Sequence, residues 1–161
     1  MTANNGIWKL AALGAVAFSL AANSLAAAEH SPQHHGAGML HLNNGQKWTT
    51  DAPLRQGMEN MRTAMAAALP AIHANQQSNA QYQALAQKIN NEVGGIVANC
   101  KLGPQADAQL HLIIADLLSG AETMQGKTKK TKRQTGALKV LDALENYDAY
   151  FDHPGWKPIA H

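Results

Sequence analysis

Apolar residues recur at spacings of three and four over four separate stretches of this chain, a period that predicts four amphipathic helices. The first covers about Asp51 to His73, where Leu54, Met58, Met61, Met65, Ala68 and Ile72 form one stripe. Thr50 or Asp51 can cap its start, Pro53 suits its opening turn, and Pro70 is expected to bend or loosen its last turn. The second covers about Asn79 to Asn99 and turns Tyr82, Leu85, Ile89, Val93 and Ile96 inward. Its Gly94-Gly95 pair lowers helix propensity by about 1 kcal/mol per residue, which points to close packing or a bend. Lys101 to Gly103 make a tight connection, and Pro104 stands where a first helical residue should. The third helix then runs to about Met124, burying Ala106, Leu110, Ile113, Leu117 and Ala121. The fourth, about Gly136 to Asp152, buries Leu141, Leu144, Tyr147 and Phe151 before His153-Pro154-Gly155 stops it. No strand pattern of matching strength competes. The fold class expected for residues 49–161 is therefore all-α, an up-down-up-down four-helix bundle.

What precedes the bundle has a different character. Residues 1–28 read as a secretory signal peptide: Lys9 in the polar opening, an uncharged run from Leu10 to Ala22, then Ala26-Ala27-Ala28 with cleavage before Glu29. The apolar run is shorter than the ~20 residues a spanning helix needs. The mature product is thus expected to be periplasmic and soluble, with no membrane as a partner. Residues 29–48 carry His30, His34, His35 and His41 among Pro32, Gly36 and Gly38, with little apolar periodicity, and read as a flexible arm.

Charge narrows the partners. The chain holds 13 Lys and Arg against 11 Asp and Glu, a balance that argues against wholesale nucleic-acid binding. The distribution is uneven: Lys127, Lys129, Lys130, Lys132 and Arg133 crowd into the connection Gly126–Gln134, which reads as a solvated loop in preference to a docking patch for an anionic partner. With one cysteine, Cys100, no internal disulfide can form, and stability must come from packing. That thiol is a buried core group, a metal ligand or an intermolecular partner.

Candidate chemistry is metal binding rather than catalysis. The chain has no CxxCH for covalent haem, no Gly-rich phosphate loop, no G-x-S-x-G elbow and no paired Glu-x-x-His. Asp107 and His111 share a helical face at i, i+4, but without a nucleophile they make no triad. No enzyme is expected. The arm's imidazoles suit copper, zinc or nickel, and a His-His pair on a mobile segment can wrap one ion. Met58, Met61 and Met65 offer soft thioethers that favour Cu(I), or else fill gaps in the core. In an up-down-up-down bundle the starts of helices one and three meet the ends of two and four. Met58 and His111 each sit seven residues past a helix start, ~10 Å up at 1.5 Å per residue. Cys100 and His153 lie at the rim of that end. Met58, Met61, Cys100, His111 and His153 are accordingly expected to converge on a copper site, although a direct Cys100–His111 chelate would be stretched.

Two resemblances bear on this reading. The segment from Leu42 to Arg55 (LNNGQKWTTDAPLR), with Asn99-Cys100-Lys101-Leu102 and Asp152-His153-Pro154-Gly155-Trp156, resembles a family of small proteobacterial periplasmic proteins labelled DnrO-like. That likeness covers nearly all of the mature chain and implies export, a His-rich leader and a helical fold, with no activity attached. The second is architectural. Soluble periplasmic haem b cytochromes are four-helix bundles whose haem is held by a methionine early in helix one and a histidine late in helix four. Met58 and His153 match those roles, which implies noncovalent haem b as the alternative cofactor; a bundle that only binds another protein, with no cofactor, is the remaining reading. His153 departs from the pattern, following its helix and preceding Pro154, where it is not expected to point inward.

Overall fold

The first two helices begin at side-chain caps that satisfy free N–H groups of their first turns, whereas the third and fourth begin without one. In the computed structural model, which describes residues 38–160, α1 spans Ala52–His73, α2 Asn79–Asn99, α3 Pro104–Met124 and α4 Arg133–Tyr150. Asp51 caps α1, its side chain accepting from the Leu54 N–H at 2.9 Å. Ser78 and Gln81 form a reciprocal capping box at α2. Pro104 opens α3, where its missing N–H costs nothing. Helix α4 starts three residues before the expected Gly136, at Arg133, whose guanidinium reaches back to the Met124 carbonyl at the end of α3. Pro70 does not end α1, which runs on to His73.

Consecutive helices pack side by side and α1 closes against α4, so the expected all-α four-helix arrangement is the fold of the chain. The fourth helix stops at Tyr150 because Phe151–Asp152 turn into a short strand, β2. It pairs in parallel with β1, Trp48–Thr49, in the register Trp48 to Phe151 and Thr49 to Asp152. That two-residue ladder lies at the end where α1 starts, and Thr50 reinforces it by donating to the Asp152 carbonyl at 2.6 Å.

The stripes read from the sequence line the core with one shift. Leu54, Met58, Met61, Met65 and Ile72 are fully buried, and Leu69 rather than Ala68 completes the row. Tyr147 and Phe151 stack in parallel at 5.5 Å at the α4 end. Close helix contact is made at glycines other than the expected pair. A methyl on Gly136 would fall 2.5 Å from the Gly120 carbonyl oxygen, and one on Gly57 would fall 2.6 Å from the Ile96 side chain. Gly94 and Gly95 instead face outward with nothing near them, inside an uninterrupted helix. The expectation of packing or a bend there is corrected.

The arm also differs from expectation over the part described. Asn43 and Gln46 pair across a tight turn whose central residues, Asn44 and Gly45, both have positive φ, the geometry of a two-residue hairpin loop. Trp48 then drives into the core and is only 6% exposed. A buried indole supplies the apolar anchor that the arm's periodicity did not reveal. Residues 38–48 therefore belong to the folded unit and are not a mobile leader. The signal peptide, the cleavage site and His30, His34 and His35 lie outside the described residues.

Candidate functional site

Asp51 organises the end of the bundle where β1 and β2 meet. One carboxylate oxygen caps α1, and the other accepts from the Lys101 N–H at 2.6 Å, so a single side chain ties the start of α1 to the α2–α3 connection. Burial opposes its ionisation, but the hydrogen bonds from Lys101 and Leu54 outweigh that, and its carboxyl sits below the ordinary range. The Cys100 thiol donates to the same carboxylate. Burial, the Asp51 charge and that hydrogen bond push the thiol up to about 11. Cys100 is thus a protonated, half-buried group at neutral pH, a poor ligand and a poor nucleophile.

His153 does turn toward the bundle, contrary to expectation. Gly155, at φ 84°, and a bond from the Trp156 N–H to the His153 carbonyl fold the tail back. The ring then lies edge-on to Tyr147, with Nδ1 3.0 Å from the Tyr147 hydroxyl. Trp156 covers it at 5.1 Å and is itself flanked by Arg62, which pairs with Glu59. Burial lowers the imidazole's affinity for a proton; Arg55 and Arg62 act the same way, against the opposing charges of Glu59 and Asp148. Burial also raises the Tyr147 phenol. A neutral phenol donating to a neutral Nδ1 satisfies both rings.

The expected convergence is not what the fold brings together. Met58 and Met61 are fully enclosed in the core, so no ion reaches their sulfurs from solvent without opening it. His111 stands on the outer face of α3, exposed, its Nδ1 2.8 Å from the Asp107 carbonyl and 3.4 Å from the Asp107 carboxylate. Cys100 is committed to Asp51 and His153 to Tyr147. Among the described residues no group of three or more His, Cys, Asp or Glu side chains is placed to hold a metal ion. The haem arrangement does not fit either. Met58 is sealed by close packing, and the half-buried His153 spends Nδ1 on a hydroxyl with Trp156 tilted against its ring. A crevice of about 70 Å³ beside α4 is lined by Leu141, Leu144 and Trp156, where the tail folds down, and involves neither residue.

His41 is placed quite differently. Its backbone is pinned twice: its N–H donates to Gln109 Oε1 at 2.8 Å, and its carbonyl accepts from Trp48 Nε1 at 2.7 Å. Its ring meets Trp48 edge-on at 5.9 Å and is exposed, with neither ring nitrogen bonded among the described residues. It borders a cleft of about 280 Å³ whose other walls include Asn43, Asn44, Gln105 and Gln109. Gln109 is buried to 6% exposure on α3, 68 positions along the chain from its partner. No local pattern in the sequence signals that pairing. Alone of the candidate ligands in the described residues, His41 joins a fixed main chain to a free imidazole. No protein-family model, curated protein or solved structure matches the chain.

Proposed function

We propose that this is an exported, non-catalytic helical protein that binds a transition-metal ion, copper foremost, through the imidazoles of its N-terminal segment. His41 is the fixed anchor of that site. The observation that carries the reading is the pinned backbone of His41 beneath a free, exposed ring. Ordering its main chain before any ion arrives removes part of the entropic cost of binding. His35 and His34 stand six and seven positions before it and supply the further ligands. Imidazole donors favour Cu(II) over the other first-row divalent ions. The leader over residues 1–28 and the likeness to DnrO-like periplasmic proteins support a periplasmic setting, where copper is handled outside the cytoplasm. In this reading Met58 and Met61 serve packing, and the bundle is the scaffold that presents the anchor.

Trp48 provides a built-in reporter. Cu(II) on His41 lies close enough to the indole to quench its emission, whereas Zn(II), with a filled d shell, does not. Titration of the mature protein should show saturable quenching by Cu(II). His41→Ala and the double change His34→Ala/His35→Ala should each weaken Cu(II) affinity at least tenfold, about 1.4 kcal/mol. Equal affinity in wild type and both variants would overturn the proposal. Intact mass of the periplasmic product tests export separately, with a start at Glu29 expected.

A further inference from the structure

At the opposite end of the bundle the connection between α3 and α4 is a braced turn rather than a loose loop. Gly126 adopts a left-handed conformation at φ 78°, and Lys130 another at φ 63°. The Gly126 N–H bonds to the Thr123 carbonyl and the Lys127 N–H to the Glu122 carbonyl, so the chain doubles back on the end of α3. Thr128 meets Thr123 through their hydroxyls at 3.1 Å. Arg133 holds the Met124 carbonyl, and Gln134 reaches across to the Ile72 carbonyl at the end of α1 at 2.9 Å. Every one of these contacts fixes the backbone or the base of the turn and leaves its ammonium groups out.

Lys127, Lys129, Lys130 and Lys132 are all exposed, and none has an ion pair or hydrogen bond from its ammonium among the described residues. By contrast Lys47, Lys88 and Lys139 each have a carboxylate partner. The neighbouring α1–α2 connection, Ala74 to Ser78, carries no charge. One end of the bundle thus presents four ammonium groups without ion pairs on a braced base, in excess over the exposed carboxylate of Glu122 on the last turn of α3. Asp51, Asp107 and Asp152 lie at the other end, about 30 Å away along helices of 21 residues.

We propose that this lysine turn docks the protein on an anionic lipid surface, held by electrostatics without insertion. The side chains of residues 125–132 include no apolar or aromatic group, so the turn lacks the apolar and aromatic anchors that a protein partner buries. A plane of phosphate headgroups needs none; it requires only a concentration of positive charge within a Debye length, about 8 Å at physiological salt. This replaces the expectation that the mature chain has no membrane partner. No helix among the described residues is long and apolar enough to cross a bilayer. Docked in this way, the protein holds its His41 end away from the surface.

Vesicle sedimentation of the full chain tests the proposal, comparing phosphatidylcholine vesicles with vesicles containing about one-third phosphatidylglycerol. The wild type should partition at least a hundredfold more strongly onto the anionic vesicles in 0.05 M salt, and the excess should vanish at 0.5 M. The variant Lys127→Gln/Lys129→Gln/Lys130→Gln/Lys132→Gln should lose that excess, about fivefold per lysine, while its thermal midpoint stays unchanged because the backbone bonds of the turn remain and the ammonium groups make none among the described residues. Any leader present is common to both proteins and cancels in the comparison. Equal partitioning of wild type and variant onto anionic vesicles overturns the proposal. So does binding to an acidic polypeptide such as polyglutamate with no preference for the anionic vesicles.

Discussion

At the scale of single residues, Asp51 shows how one short side chain can set the chemistry of its neighbours. It caps a helix, holds the following connection and keeps the adjacent thiol protonated. A thiol raised from 9.0 to about 11 carries on the order of a hundredfold less thiolate near neutrality. Cys100 should therefore react slowly with iodoacetamide at pH 8, with a rate that keeps climbing to about pH 11. Asp51→Asn removes the charge but leaves an oxygen to cap α1, and it should move the rate profile to lower pH. An unchanged profile would show that burial alone holds the thiol. That Thr50 or Asp51 caps the helix was legible in the sequence, since both precede a run of apolar period, and the fold selects Asp51. Its second bond, to Lys101, was not, because residues 50 apart meet only through the fold.

Among the elements, the helices were legible and their contacts were not. A period of 3.6 announces which residues face inward whatever lies opposite, and so Leu54, Ile89, Leu117 and Leu144 were all assignable from spacing alone. Glycine carries no such signal. Gly120 and Gly136 sit back to back where α3 and α4 touch, whereas Gly94 and Gly95 face solvent, and the sequence distinguishes these cases only once both helices are in place. The two kinds of glycine should answer oppositely to alanine. Gly94→Ala and Gly95→Ala should each stabilise the protein by about 0.5–1 kcal/mol, by raising helix propensity with no new contact. Gly136→Ala should cost about 1–3 kcal/mol, because the methyl meets backbone that cannot move aside. Urea unfolding of the three variants measures both signs.

For the whole molecule, the main surprise is where the folded unit begins. The arm's histidines, glycines and proline concealed Trp48, whose burial recruits the segment down to His41 and beyond. The candidate site shared that fate: its anchoring partner Gln109 is an ordinary glutamine until the arm lies over α3. A chain shortened to begin at residue 38 should unfold at the same urea concentration as the mature protein. One shortened to begin at residue 50 loses Trp48 and β1, and should be less stable by about 3–5 kcal/mol, the usual cost of deleting a buried tryptophan side chain. Similar stability for both chains would show that the bundle stands without its first strand.

The parallel pairing of β1 with β2 has a mechanical consequence. The incoming chain leaves β1 in one direction and the outgoing chain leaves β2 in the other. A force pulling those two flanks apart therefore slides the strands past each other and loads their hydrogen bonds together, instead of peeling them open one by one. All four helices lie on the closed path between the strands. Once a tug on the tails has freed His41 from Gln109 and Trp156 from Tyr147, it is borne next by two pairs of residues and by Thr50 beside them, before the helices between the strands are stretched.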